Sequence, residues 1–408
     1  MTDILDVLVV GGGPVGACAA ALLLHGSAGN IGPLRVGVLE PNRPRPPVAG
    51  TALEARVVAI SRASEHILQS VSAWDRVLGP RVGAYERMRI WHESVAPSST
   101  GALVFDAAEA GEPNLGYIVE NRLLQAALLD GIAESGGHIA SGSLVGLHVG
   151  PEFVTVETST GSLAARLVIG ADGAKSAVRQ LLGITADVTD FNETAIVATV
   201  ATERPHEKTA WQRFMRTGTL AFLPLADGAS SIVWSADNNV AATLVGMSAA
   251  EFATELDRAS DLALGCTRLL SDRITFPLQR LTADRYVAHR CALIGDAAHV
   301  VHPLAGQGVN LGLLDAAALA QLILEARRER EDPGALRVLR RYERWRKSEV
   351  AFMSTAISAF DRFLAHGSGP VSRLAQRGLG LVNRSQEIKR FFVSRALGVS
   401  GELPRAAR

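Results

Sequence analysis

Residues 4–10, ILDVLVV, are apolar and too few for a buried helix, which predicts a buried strand. The alanine-rich stretch 17–24 predicts a helix, and LRVGVL (34–39) a second strand. The same short apolar type returns in LAARLVI (163–169) and RCALIG (290–295). Between these two the pattern changes. AIVATVAT (195–202), GTLAFLPL (218–225) and SSIVWSA (230–236), separated by turn residues, predict an antiparallel sheet within 186–283, and Tyr85–Trp91 is a candidate further strand of it. Trp211, Phe214, Phe222, Trp234 and Phe276 are candidates either for its core or for an apolar pocket. A long apolar helix is expected over 308–326, and Phe352, Ala356, Phe360 and Phe363 recur at helical spacing beyond it. The fold class expected is α/β: a Rossmann-like domain, an inserted, mostly antiparallel β-sheet domain and a C-terminal helical region.

The turns between these elements carry the chemistry. Gly11-Gly12-Gly13-Pro14-Val15-Gly16 joins the first strand to the helix and fits G-x-G-x-x-G, and Glu40 ends the second strand. Glycines at this spacing let the backbone approach a pyrophosphate, the helix start offers free N–H groups, and the acid accepts from a ribose diol. The alternative is a close helix–strand packing turn, and the motif does not separate NAD from FAD. The stretch Gly26–Pro33 lengthens the unit as a surface loop. Two further strand ends carry glycine and an acid, Gly170-Ala171-Asp172-Gly173 and Gly295-Asp296, but no second complete fingerprint exists. After Asp296 come His299 and His302, three residues apart, open to reading as metal ligands, a general base or structural groups. Pro303 disfavours helical geometry at His302 and no third clustered ligand is present, so no metal is expected.

Composition narrows the class. Lysine and arginine number 41 against 41 acids in 408 residues, which argues against a nucleic-acid binder. Cys18, Cys266 and Cys291 are scattered without a C-x-x-C, which fits a reducing compartment. The N-terminus does not read as a signal peptide, and no uninterrupted apolar run reaches the ~18 residues of a membrane span. Residues 327–347 hold nine Lys/Arg against four Asp/Glu and lead into the apolar stretch described above. Such a region suits peripheral contact with an anionic membrane, or packing on the rest of the chain or on a protein partner.

Gly11–Gly16 with Glu40, the run GADGAKSAVR (170–179) and GDAAHVVHPLAGQGVNLGLLD (295–315) together resemble the single-component FAD-dependent aromatic hydroxylases of the para-hydroxybenzoate hydroxylase fold. ARVVAISRAS (55–64), GYIVENRLLQAAL (116–128) and HPLAGQGVNLGLLD (302–315) resemble more narrowly the ubiquinone-biosynthesis hydroxylases, the UbiH/UbiF/VisC group. The resemblance runs to about Arg346. It implies an FAD-binding domain in three pieces (1–75, 101–185, 284–346), substrate-domain strands at 76–100 and 186–283, and a helical region at 347–408. It implies FAD as cofactor, NAD(P)H or another electron donor, and O2 as co-substrate. Gly11, Gly13 and Gly16 inherit the pyrophosphate, Glu40 the adenosine ribose, and Arg56 and Arg122 positions near the cofactor. Asp172 matches the acid that links the FAD region to NAD(P)H use, and Asp296 the acid at the ribityl hydroxyls. Pro303, Gly306, Gln307 and Gly308 form the flavin-side environment, with a helix start aimed at the charge of reduced flavin, and Asn310 caps that helix or meets the ring edge. The reaction implied is hydroxylation of a polyprenylated phenol or quinol of ubiquinone biosynthesis through a flavin C4a-hydroperoxide. A small soluble phenol, or a non-catalytic FAD-binding subunit of a biosynthetic complex, are the alternatives. Other ubiquinone-biosynthesis proteins are candidate partners, and the setting expected is cytoplasmic, with the inner membrane face as an alternative for the basic C-terminal region.

Overall fold

The computed structural model describes residues 4–27, 32–48, 50–301, 307–364, 398 and 401–408. Strand β1 (Leu5–Val10) runs through the glycine turn into α1 (Pro14–Ser27), and β2 (Val36–Leu39) follows. Pro14 opens α1 at the position where a missing N–H removes no helical bond. Ala17, Ala19, Ala20 and Ala21 are buried and keep the helix thin enough to lie close on the sheet. Next come β3 (Val57–Ile60), α2 (Arg62–Ser70), β4 (Arg87–His92) and β5 (Gly161–Gly170). The inserted sheet is built from β6 (Ala186–Thr202), β7 (Thr209–Met215), β8 (Gly218–Pro224) and β9 (Ser230–Asp237), then helices α3 (Asn238–Gly246) and α4 (Ala249–Ser260), then β10 (Ile274–Ala283). Strand β11 (Cys291–Leu293) and helices α5 (Gln307–Arg328) and α6 (Leu336–Leu364) complete the framework.

The first sheet has the central order β11–β5–β1–β2, all parallel. Its register sets Leu293, Gly170, Val10 and Leu39 on one rung. Every chain segment leaving that rung therefore emerges on the same edge of the sheet, the edge where ligands bind in open parallel sheets. The core beneath it combines β1, α1 and α5, with Leu8, Val9, Leu23, Val168, Ile169, Leu293 and Leu319 buried. The segment Gly308–Arg328 is long and apolar enough to cross a membrane, but 83% of its most apolar window is buried inside the protein. Its hydrophobicity is accounted for by the core.

The second sheet runs in the order β10–β6–β9–β8–β7–β4, antiparallel except for the parallel pair β7–β4. One face lies under α3 and α4, where Ile196, Leu220, Phe222, Trp234, Phe252 and Leu256 form a separate core. The capping box of Ser248 and Glu251 starts α4. The expected entry of the chain into this sheet is shifted. Gly83–Tyr85 pairs instead in a three-stranded sheet with β3 and Gly116–Glu120. The large sheet continues past residue 100 through Leu103–Asp106, because that strand folds back antiparallel on β4 with Arg87 opposite Asp106. It also extends past residue 283, where His299–Val300 pairs with β10.

One side chain joins the two halves of the polypeptide. Asn310 on α5 accepts from the Ser61 N–H (3.0 Å) and donates to the Ala59 carbonyl (2.9 Å), and all three groups are buried. Asn310→Ala leaves two buried backbone groups unpaired, so unfolding should become easier by about 2–4 kcal/mol. The shift of the urea midpoint measures it; an unchanged midpoint means the clamp does not hold β3 and α2 to α5.

Candidate active site

The glycines of the first turn divide into two kinds. A Cβ on Gly11 (φ +101°) would lie 2.4 Å from the Ala171 carbonyl oxygen, and one on Gly16 would lie 2.0 Å from the Gly11 oxygen. These two glycines let the start of α1 close against the turn after β5. At Gly13 a Cβ would meet no protein atom within 4 Å. Its open side faces space, as close approach of a phosphate requires. No acidic residue occupies the first turn of α1, so the positive end of the helix dipole is uncompensated. Glu40, one residue past β2, is fixed from both oxygens: Oε2 accepts from the Gly12 N–H (2.7 Å) and Oε1 from the Asn42 N–H (2.9 Å). Each oxygen keeps a lone pair for a hydroxyl.

The turns after β5 and β11 interlock beside it. Asp172 Oδ2 accepts from the Val178 N–H (3.0 Å), while its buried Oδ1 has no partner among the described residues. Arg179, buried, donates to the Ala174 carbonyl (2.7 Å) in its own turn and to the Ala297 carbonyl (2.8 Å) in the next. Burial lowers its pKa, against the opposing charge of Asp172. Gly295 (φ +56°) turns the chain so that Asp296 is exposed in the cleft. The protein mass around that carboxyl raises its pKa above the ordinary carboxylate value, and the charges of His299 and Arg56 only partly offset this. Val15 packs between Gly295 and Gly312, where added Cβ atoms would come within 3.1 and 2.5 Å of it. Residues near positions 15, 295 and 312 are thereby held in one contact.

Behind Asp296 lies a fully buried carboxylate. Asp315 Oδ2 is 2.6 Å from His299 Nε2 and accepts from the Gly295 N–H (3.0 Å), and Oδ1 accepts from Arg346 Nε (2.7 Å). Burial pushes the Asp315 pKa up, but the charges and hydrogen bonds of His299 and Arg346 outweigh it and hold the group below its ordinary range. Asp315 and Arg346 were not among the residues singled out from sequence. Asp315 closes the motif at 302–315, but nothing in its spacing shows that its partners are Gly295, His299 and Arg346. Of the histidine pair, His299 is committed to Asp315, a structural link; His302 lies outside the described residues, as do Pro303 and Gly306.

Arg56 and Arg122 reach different places. The Arg56 guanidinium stands over the Phe276 ring (5.9 Å) and acts electrostatically on Asp296. Arg122 donates to the Arg45 carbonyl and to Glu54 (both 2.8 Å), bracing the loop that follows Glu40. Asn310 is the clamp described above. Gly308, in the first turn of α5, has nothing within 4 Å of a built Cβ, and that turn carries no acid. The second sheet closes the cleft from above. Register sets Phe276, Ala195, Ser235, Thr219, Phe214 and His92 in one row, and Ile274, Val197, Val233, Ala221, Gln212 and Ile90 in the next. This is the face turned to Ala55, whose carbonyl accepts from Ser231. Trp211, Phe222 and Trp234 fall on the opposite face, in or against the core under α3 and α4, so of the five candidate aromatics only Phe214 and Phe276 share the cleft side. Alternation along each strand separates them.

These features fit FAD. Gly13 and Gly308 leave open backbone where a pyrophosphate and a flavin edge require it, and the helix ends beside them are positive. Glu40, the unpartnered Asp172 oxygen and the exposed Asp296 carboxylate offer acceptors to hydroxyl groups along the same edge.

Residues 137–353 match the model of the FAD binding domain family. The chain is 36% identical over 399 residues to 3-demethoxyubiquinol 3-hydroxylase of Escherichia coli strain K12, covering 97% of this chain and 98% of that protein. It is 35% identical over 411 residues to ubiquinone hydroxylase UbiL of Rhodospirillum rubrum, covering 99% and 93%. Among solved structures, p-nitrophenol 4-monooxygenase PnpA of Pseudomonas putida aligns with a TM-score of 0.76 at 22% identity, covering 97% of this chain and 99% of that one.

Two outcomes follow from this geometry. Gly13→Ala should fold with an unchanged melting temperature in the apo form yet bind FAD about tenfold or more weakly by fluorescence titration, whereas Gly16→Ala should be destabilised before any ligand is added. Equal melting losses in the two variants would remove the distinction. Asp315→Asn should lower stability at neutral pH by about 3–5 kcal/mol, because Arg346 is left buried without its charge partner. The folded pKa of Asp315 lies below its ordinary value of 3.8. The stabilisation is therefore complete above that value and disappears as pH falls through the folded one. Denaturation curves of the two proteins should converge only in acid; a gap that does not depend on pH contradicts the assignment.

Proposed function

The chain belongs to the FAD-dependent hydroxylases of ubiquinone biosynthesis, and on that premise we propose that it inserts one oxygen atom into the ring of a polyprenylated phenol or quinol. The reading is supported above all by one arrangement: the parallel edge at which Gly13, Glu40, Asp172 and Asp296 emerge faces a sheet whose cleft side is made of small, apolar and neutral polar residues.

FAD, when bound and reduced by a two-electron donor, would activate O2, one atom of which enters the ring while the other leaves as water. The protein's own tasks are binding, orientation and exclusion of water. Gly13 and the start of α1 would hold the pyrophosphate, Glu40 would take the adenosine ribose, and Asp296 would accept from the ribityl hydroxyls. Arg122 keeps the loop after Glu40 in place. The first turn of α5, at Gln307 and Gly308, would offer the positive end of its helix to the negative charge that reduced flavin carries. The sheet face formed by Ala195, Val197, Val233 and Ala221 gives the aromatic ring a flat, weakly polar ceiling. We assign electron delivery to a nicotinamide nucleotide that binds without a second Rossmann fingerprint. We place the enzyme in the cytoplasm, with the basic stretch 327–347 as its route to a membrane surface or to other enzymes of the same biosynthesis.

Protein loaded with FAD and supplied with NAD(P)H, O2 and a prenylated phenol should give a product heavier by one oxygen atom in mass spectrometry. Tight FAD binding with no oxygenated product from any prenylated or simple phenol would sink the enzymatic reading and leave an FAD-binding scaffold. Asp296 supplies a second check. Its pKa is raised in the folded protein, so at neutral pH its ionised form costs the apo protein stability, a cost that shrinks as pH falls through the folded value and is gone below the ordinary value of 3.8. Asp296→Asn should leave the apo melting temperature unchanged or higher while weakening FAD retention about tenfold or more. Retention equal to wild type on gel filtration means that Asp296 does not hold the cofactor.

A further inference from the structure

Strand β10 begins as a bare apolar edge. Ile274 and Phe276 are 41% and 36% exposed, and both point to the cleft side of the sheet, where their cross-strand neighbours are the small residues Val197 and Ala195. Among the described residues the outer edge of β10 is paired only at Leu281 and Thr282, so the stretch from Ile274 to Leu278 is open. Exposed apolar edges invite aggregation, and proteins ordinarily blunt them with charge. The charge next to it in sequence is turned away: Arg273 donates to the Leu244 and Met247 carbonyls (2.8 and 2.7 Å) and stacks on Phe252.

The strip is continuous with the cofactor cleft. Phe276 lies under Arg56, whose charge acts on Asp296. In the other direction it ends at Leu270, 45% exposed, on the rim of an open groove of about 600 Å³ that Ser271, Asp272 and Arg273 make polar beyond it. Alternate residues of β6 carry this path on one face, since Ala195 faces Phe276, Val197 faces Ile274, and the Thr199 carbonyl accepts from the Leu270 N–H (2.8 Å); Leu269, opposite Val200, turns to the other face and packs on the core under α3 and α4. At roughly 3.3 Å per residue the path is about 13 Å long. A simple phenol has no use for such a strip, whereas a flexible hydrocarbon chain attached to the ring has. A second protein strand is a poor occupant, because Pro277 interrupts the donor pattern of the edge.

We propose that the strip Phe276–Ile274–Leu270 is the exit track for the isoprenoid tail of the substrate, an inference that rests on the reading of the ring-hydroxylating site given above. Ring and tail are then held by different surfaces: the ring between the sheet and the flavin, the tail along the edge of β10.

The test uses FAD-loaded full-length enzyme and two quinol analogues with the same ring, one carrying a methyl group and one a chain of several isoprene units. Ile274→Asp and Leu270→Asp should raise the dissociation constant of the long-chain analogue about tenfold or more, followed by flavin absorbance. Binding of the methyl analogue, FAD affinity and melting temperature should stay as in wild type. Equal losses for both analogues, or no loss for the long one, overturn the track. So does a change in oligomeric state by light scattering with tail binding intact, which makes the strip a protein contact. If wild type binds the long analogue more tightly than the short but oxygenates neither, the hydroxylase reading fails while the track stands.

Discussion

A carboxylate with no access to water sits at the centre of this molecule. Asp315 is ionised in the core because three donors from two segments converge on it: the Gly295 N–H and the His299 ring from the turn after β11, and the Arg346 guanidinium from α6. A buried charge on this scale is tolerated only when it is paired and hydrogen-bonded, and losing one donor costs more than the pair itself contributes. The consequence is geometric. Asp315 is on α5, Arg346 on α6, and Gly295 immediately precedes Asp296, so the carboxylate fixes the acid of the cleft relative to the helix whose first turn faces it.

The rest of the site follows from parallel strands. Because β11, β5, β1 and β2 share one rung at Leu293, Gly170, Val10 and Leu39, four turns far apart in sequence leave the sheet together. Close contact between them needs missing side chains: Gly11 and Gly16 against Ala171, Gly295 and Gly312 against Val15. Arg179 then ties the second turn to the third through two carbonyls. The second sheet contributes no turn of this kind. It adds a flat surface, and its alternation decides which side chains reach the cleft.

Much of this was legible in advance. The short apolar runs at 4–10, 34–39, 163–169 and 290–295 predicted the strands that form the parallel core, and the glycines and acids after them marked the turns. That reading works because a buried parallel strand is a local pattern, and a turn at its end needs local residue types. The strand at Leu103–Asp106 was harder to see, since its place depends on folding back against β4 across a loop. Trp211, Phe222 and Trp234 were visible as aromatic positions, but the face each occupies depends on strand register and on where α3 and α4 pack.

The sequence by itself determined the class of the fold, the family and the edge chemistry of a dinucleotide-type turn, because these are written in short windows whose residues act on their immediate neighbours. Only the tertiary structure decided that Asp315 rather than the histidine pair is the organising group, that Asn310 is turned onto Ser61 and Ala59, and that Arg56 stands over Phe276. Each of these contacts joins residues brought together by packing and not by spacing. Desolvation pushes the pKa of both Asp315 and Asp296 up, and the convergence of His299 and Arg346 on Asp315 alone reverses it there; this difference within one motif belongs to the folded surroundings and has no counterpart in the chain alone.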